Sequence, residues 1–116
     1  MSTGADSRLA VLLVEDDEQV RLGTKRFLQS KGMDTIVASD GLAAIKVLLD
    51  EKVDVIVTDY KMQVLGGDYW IRFLQKHYGD KKIIVVTGFL ESDVSLPFPV
   101  VYKPFEYGKL LDAILT

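Results

Sequence analysis

The sequence predicts an α/β domain, a five-stranded parallel sheet with helices on both of its faces. Three observations predict it. Short apolar, β-branched runs recur along the chain, and two of them end abruptly in acidic residues. Between them lie stretches whose apolar residues repeat at helical spacing. The two patterns alternate, and each parallel step needs such a crossover.

Leu9 to Val14 is the first apolar run, β1, and it stops at Glu15-Asp16-Asp17. Val20, Thr24, Phe27 and Leu28 then give a helix α1 over about residues 17–31, with Asp17 as its cap and Lys31-Gly32 as its stop. Thr35 to Ala38 reads as β2. Asp40 is a good N-cap for α2, Gly41 to Leu49, in which Ala44, Val47 and Leu48 share a face. Val53 to Thr58 repeats the pattern of β1 as β3 and ends in Asp59.

After Gly66-Gly67, the stripe of Trp70, Ile71, Phe73 and Leu74 predicts α3, running to about His77. Lys82 to Thr87 is β4. The stretch from Phe89 to Pro99 holds two prolines and almost no helical period, so no full helix is expected there. Val100 to Tyr102 is β5, and Glu106 to Thr116 closes the chain as α4, with Leu110, Ala113 and Ile114 inward.

A chain of 116 residues suits one domain. Residues 8–116 are expected to form it, and the small polar stretch 1–7 reads as a disordered N-terminal tail. With 48% hydrophobic and 27% charged residues the composition is that of a globular protein with a core. The formal charge is −3 and no basic stripe lies along any element, which argues against direct nucleic-acid binding. Without cysteine there is neither a disulfide framework nor a thiolate metal site, and the cytoplasm is the natural compartment. Runs such as Leu9–Val14 and Ile83–Val86 are far shorter than the roughly 18 residues that span a bilayer, so no membrane segment is expected.

In an open parallel sheet, ligands bind outside the carboxyl ends of the strands, near the point where the strand order reverses. The residues there are Glu15, Asp16 and Asp17 after β1, Asp59 after β3, Thr87 at the end of β4 and Lys103 after β5. Two carboxylates at about 4 Å repel by roughly 4 kcal/mol at an effective dielectric of 20. Either one acid takes a proton or a hard cation with oxygen ligands sits among them, since Lys103 offsets one charge of three or more. The lack of cysteine and a single remote histidine, His77, leave Mg2+ or Mn2+ as the fitting ions. A carboxylate beside such an ion, a hydroxyl and an ammonium is what a phosphoryl acceptor needs. Asp59 is the candidate nucleophile, the β1 acids hold the metal, and Thr87 and Lys103 clasp the transferred group.

These residues resemble the receiver domains (CheY-like) of the response regulators of bacterial two-component systems, over Leu9 to Leu115. Val11-Leu-Leu-Val-Glu-Asp-Asp17 is similar to the family's first-strand acidic signature, which implies Glu15 and Asp16 as the metal-binding pair. Asp59-Tyr-Lys-Met62 with Gly67 resembles the phosphoacceptor loop and implies that Lys61 lends its backbone carbonyl to the metal. Val85-Val-Thr87-Gly88 and Tyr102-Lys103-Pro104-Phe105 resemble the hydroxyl and Lys-Pro motifs, the latter implying a cis peptide before Pro104. The resemblance implies a flavodoxin-like, doubly wound strand order 2-1-3-4-5. It also implies a phosphohistidine on a histidine kinase or histidine phosphotransfer protein as donor, with self-catalysed phosphorylation and autodephosphorylation and no external substrate.

Three positions depart from the family pattern. Gln63 stands where a proline is usual after the methionine, and Val100 stands where many members carry a switch aromatic. Tyr102, on the same strand face, offers an aromatic that could replace it, but is expected to pack. Thr87 and Lys103 are sixteen positions apart, shorter than usual by more than a helical turn, so the family's fourth helix, between β4 and β5, is expected to be short or missing. A phosphate-independent docking module on the same fold remains a second reading. A phosphohydrolase of the haloacid dehalogenase type is a third, but it wants an acid where Lys61 stands.

Overall fold

A computed structural model describes residues 8–88, 90 and 94–116. The tail expected at 1–7 lies outside them. The elements run β1 (Ala10–Val14), α1 (Glu18–Ser30), β2 (Asp34–Ala38), α2 (Gly41–Asp50), β3 (Val55–Asp59), α3 (Gly67–Tyr78), β4 (Lys82–Thr87), β5 (Val100–Tyr102) and α4 (Tyr107–Leu115). The five strands are parallel in the order β2-β1-β3-β4-β5, the flavodoxin-like, doubly wound order.

Alternation along the strands divides the core in two. Val11, Leu13, Val55, Val57, Ile84 and Val86 face α1 and α4, where Leu28, Leu110 and Ile114 meet them. Leu12, Val14, Ile56, Ile83 and Val85 face α2 and α3 and meet Ala44, Leu48, Trp70 and Leu74. Strands buried on both faces explain why these runs are apolar without interruption. Asp17 and Asp40 cap their helices through the amides of Val20 and Ala43, at 3.0 and 2.8 Å. The ladder of β3 begins at Val55 rather than Val53, because the Asp54 carboxylate takes the Ala10 amide at 2.8 Å.

Trp70 is fully buried, and its indole N–H donates to the Thr58 hydroxyl at 2.8 Å, which in turn donates to the Asp59 carbonyl at 2.9 Å. The stripe that predicted α3 therefore also anchors the end of the central strand. Trp70→Phe keeps most of the apolar ring and deletes the donor, so a loss of about 1–2 kcal/mol is expected, read from the urea-unfolding midpoint. An unchanged midpoint would mean that the bond carries no weight.

Between β4 and β5 the described residues carry no helix. Phe89 and residues 91–93, part of the stretch where a short or missing helix was expected, lie outside the described set. Leu90, Val94, Leu96 and Phe98 pack against the α2–α3 side of the core, while Ser95, Pro97 and Pro99 are exposed. From Val94 to Pro99 partly buried and exposed positions alternate, and the inward members cover that side of the core. Tyr102, expected to pack, is 55% exposed instead, because among the described residues β5 is the edge strand, paired on one side with β4. The helix after β5 is α4, Tyr107–Leu115. No helix among the described residues is long and apolar enough to cross a membrane.

Candidate metal and phosphoryl site

The strand register gathers the acidic residues. Val14 pairs with Thr58 across β1 and β3, so the next residues, Glu15 and Asp59, leave adjacent strands side by side at the point where the order reverses. Asp59 sits beside Val86, and Thr87 follows it at the end of β4. Thr87 pairs with Tyr102, and its carbonyl accepts the Lys103 amide at 2.8 Å. Backbone pairing alone thus lines Glu15, Asp59, Thr87 and Lys103 along one edge.

Carboxylate oxygens of Glu15, Asp16 and Asp59 lie within 4.8 Å of one another. Glu15 and Asp59 are buried and Asp16 is exposed. The Lys103 ammonium reaches both buried acids, Glu15 Oε1 at 2.7 Å and Asp59 Oδ2 at 3.1 Å. The other oxygens accept backbone donors: Glu15 Oε2 from the Asp17 amide at 3.1 Å and Asp59 Oδ1 from the Tyr60 amide at 2.9 Å. Arg21 from α1 donates to the Glu15 carbonyl at 2.9 Å, which fixes the end of β1 without touching its carboxylate. The peptide between Lys103 and Pro104 is cis. Thr87 is buried, and the Lys61 side chain is exposed in the loop after β3.

Asp17, grouped with the acids in the sequence, points its carboxylate into the α1 cap instead. His77 lies on the surface near the end of α3, against Phe73. The sequence did not single out Tyr60 and Asp68, whose side chains bond to each other, or Arg21. Their positions follow from how the loop and α1 fold back, and no spacing rule announces that. An apolar groove of about 360 Å³, lined by Val20, Thr24, Pro104, Phe105 and Tyr107, opens beside Lys103.

Burial drives the Glu15 carboxyl up from 4.5 to about 7, and the nearby Asp59 charge adds to the rise. The bonds from Lys103 and the Asp17 amide pull the other way and lose. For Lys103 burial favours the neutral amine, but the bonds to Glu15 and Asp59 outweigh it and raise its pKa. Tyr60 is pushed up to about 12, first by its hydrogen bond to Asp68.

A raised acid binds its proton more tightly folded than unfolded, so it stabilises most below the unfolded value and that stability is lost as pH rises. Without divalent cation, the wild type is therefore expected to lose stability relative to Glu15→Gln between about pH 4.5 and about pH 7, measured by thermal melts in chelator. A difference that stays flat across that window would contradict the shift.

The donor set tests the fit of a metal. Three carboxylates at this spacing offer oxygen only, there is no cysteine to add sulfur, and the Lys103 ammonium is shared between two of the acids. A hard divalent ion of the Mg2+ or Mn2+ kind fits this set.

Comparison with known proteins gives a consistent result. A family model described as the response regulator receiver domain matches residues 11–115. The sensor kinase CckA of Brucella abortus is 32% identical over 97% of this chain and 13% of the kinase. The transcriptional regulatory protein YxdJ of Bacillus subtilis is 30% identical over 90% of this chain and 48% of that protein. The chain thus spans less than half the length of these relatives. Among solved structures, a response regulator receiver protein from Pseudomonas putida superposes with a TM-score of 0.85 at 28% identity, covering 94% of this chain and 97% of the other. The response regulator protein TrrA from Thermotoga maritima, in complex with Mg2+ and BeF, gives 0.82 at 26% identity, covering 92% and 96%.

Proposed function

This chain belongs to the response regulator receiver domain family, and we propose that it accepts a phosphoryl group on Asp59 from a phosphohistidine of a histidine kinase or histidine phosphotransfer protein. The observation that carries the reading is the cluster itself: Glu15, Asp16 and Asp59 within 4.8 Å, with Lys103 bridging the two buried members. In this reading the three carboxylates and the Lys61 backbone carbonyl hold Mg2+ or Mn2+. When bound, the ion neutralises the acids and draws charge from the transferred oxygens.

This chain's residues do the rest. An Asp59 carboxylate oxygen attacks phosphorus, the bond to the donor's imidazole nitrogen breaks, and the electron pair stays with the imidazole, leaving an acyl phosphate. The Tyr60 amide, at 2.9 Å from Oδ1, holds the carboxylate in orientation. Lys103, already against Asp59, follows the new charge onto the phosphoryl oxygens, and the Thr87 hydroxyl donates to another. Hydrolysis of the acyl phosphate by the same groups resets the domain, and no external substrate is turned over. The apolar groove beside Lys103 gives the donor protein a surface to approach. TrrA's complex with Mg2+ and BeF supports the cation in this reading.

The described residues between β4 and β5 carry no helix, and Leu90, Val94, Leu96 and Phe98 lie against the core, so in this reading output passes through a surface remodelled there. Incubation with Mg2+ and a small acyl phosphate donor is expected to add one phosphoryl group by mass, stable in acid and labile in base. A protein that gains none from that donor or from a kinase would overturn the proposal.

A further inference from the structure

We propose that the Tyr60–Asp68 hydrogen bond is the positioning device of the cation site, fixing the turn after β3 so that the backbone at Lys61 faces the acidic cluster. The inference rests on the phosphoacceptor reading above and deepens it, because it assigns a role to two residues outside the ligand set.

Tyr60 is held on every side. Its amide donates to Asp59 Oδ1 at 2.9 Å, its carbonyl accepts from Gly67 at 2.6 Å, and its hydroxyl donates to Asp68 Oδ1 at 2.5 Å. Its ring is buried in the α2–α3 side of the core. Gly67 and Asp68 open α3. The two bonds from Tyr60 therefore close a neck between the exit of β3 and the start of α3, and residues 61–66 form the turn above it.

That turn needs a restraint. Leu65 has φ of 50°, a left-handed conformation that is unfavourable for a residue with a Cβ. Gln63 supplies none of the stiffness that a proline brings to a turn. Some restraint comes from close packing: a Cβ on Gly66 would meet the Met62 amide at 2.7 Å, and one on Gly41 would meet the Leu65 carbonyl at 2.4 Å. These contacts hold the far end of the turn. The near end, where the chain leaves β3, is tied to the first turn of α3 twice through Tyr60, by its carbonyl to Gly67 and by its hydroxyl to Asp68, and the hydroxyl is the side-chain half of that tie.

The test uses the full chain with Mg2+ alone as probe, titrated by calorimetry and by the fluorescence of Trp70. Wild type is compared with Tyr60→Phe, Asp68→Ala and the double variant. Supporting parts of a metal site typically cost tenfold or more in affinity when removed, so each single change is expected to weaken Mg2+ binding about tenfold. The double variant is expected to do no worse than the poorer single, since one bond is lost in all three. Ile71→Val, in the same core but away from the turn, is expected to lower stability and leave Mg2+ binding as it was.

A Tyr60→Phe protein that binds Mg2+ as well as wild type would overturn the inference, whatever its melting temperature. So would an Ile71→Val protein that loses as much affinity, because the bond would then act only through overall stability. If wild type binds no Mg2+, it is the phosphoacceptor reading that falls.

Discussion

Asp59→Asn is expected to abolish phosphoryl acceptance and, in chelator, to make the folded protein more stable. The first effect follows from replacing the nucleophile with an amide that cannot form an acyl phosphate. The second follows from crowding: Asp59 is 7% exposed and lies within 4.8 Å of two other carboxylates, and it shares the Lys103 ammonium with Glu15. Removing one charge relieves a repulsion on the order of 1 kcal/mol or more, even after solvent and Lys103 have screened part of it. It also lowers one of the influences that raise Glu15. Added Mg2+ is expected to stabilise the variant less than wild type. Intact mass after incubation with donor, and melts with and without Mg2+, check both halves. A variant that still gains the group would place the acceptor elsewhere.

Lys103→Met is expected to slow phosphorylation by a small donor about 10²- to 10³-fold, the usual consequence of deleting a preorganised charge aimed at a developing anion. It is also expected to destabilise the metal-free protein. Lys103 makes bonds of 2.7 and 3.1 Å to carboxylates that are almost wholly buried, and methionine fills its volume without its charge. Breaking a buried pair costs about 3–5 kcal/mol. The lower end is expected here, since the lysine side chain is 24% exposed and Glu15 can take a proton near neutral pH. Mg2+ is expected to restore much of the stability by supplying the missing positive charge. It is not expected to restore the rate, because the ion would act on the transferred oxygens with or without Lys103, whose own charge on them is lost. A variant phosphorylated at the wild-type rate would remove Lys103 from the proposed mechanism.

Much of this architecture was legible in the residues because strands buried on both faces leave an unmistakable apolar run, and because parallel order brings their ends together. Glu15 and Asp59 could be placed in one mouth before any register was known, since both follow such runs. The edges were harder. Tyr102 has the alternation of a packed strand residue, yet among the described residues β5 has no strand on its outer side, and nothing local to Val100–Tyr102 reports that. The two prolines in the β4–β5 segment argued against a helix, but that Val94, Leu96 and Phe98 come to rest on the core depends on the α2–α3 cluster they meet. Tyr60 and Asp68 stand eight residues apart across an irregular turn, so no period links them. Their pairing exists only because Gly67 bonds back to Tyr60 and brings α3 within reach.

The most direct test is the anomalous scattering of Mn2+ in crystals grown with beryllium fluoride as a mimic of the phosphoryl group. One strong peak is expected among the carboxylates of Glu15, Asp16 and Asp59, with the mimic joined to Asp59 and touched by Lys103 and Thr87. A peak bound away from these carboxylates, or a mimic that leaves Asp59 bare, would contradict the proposed function.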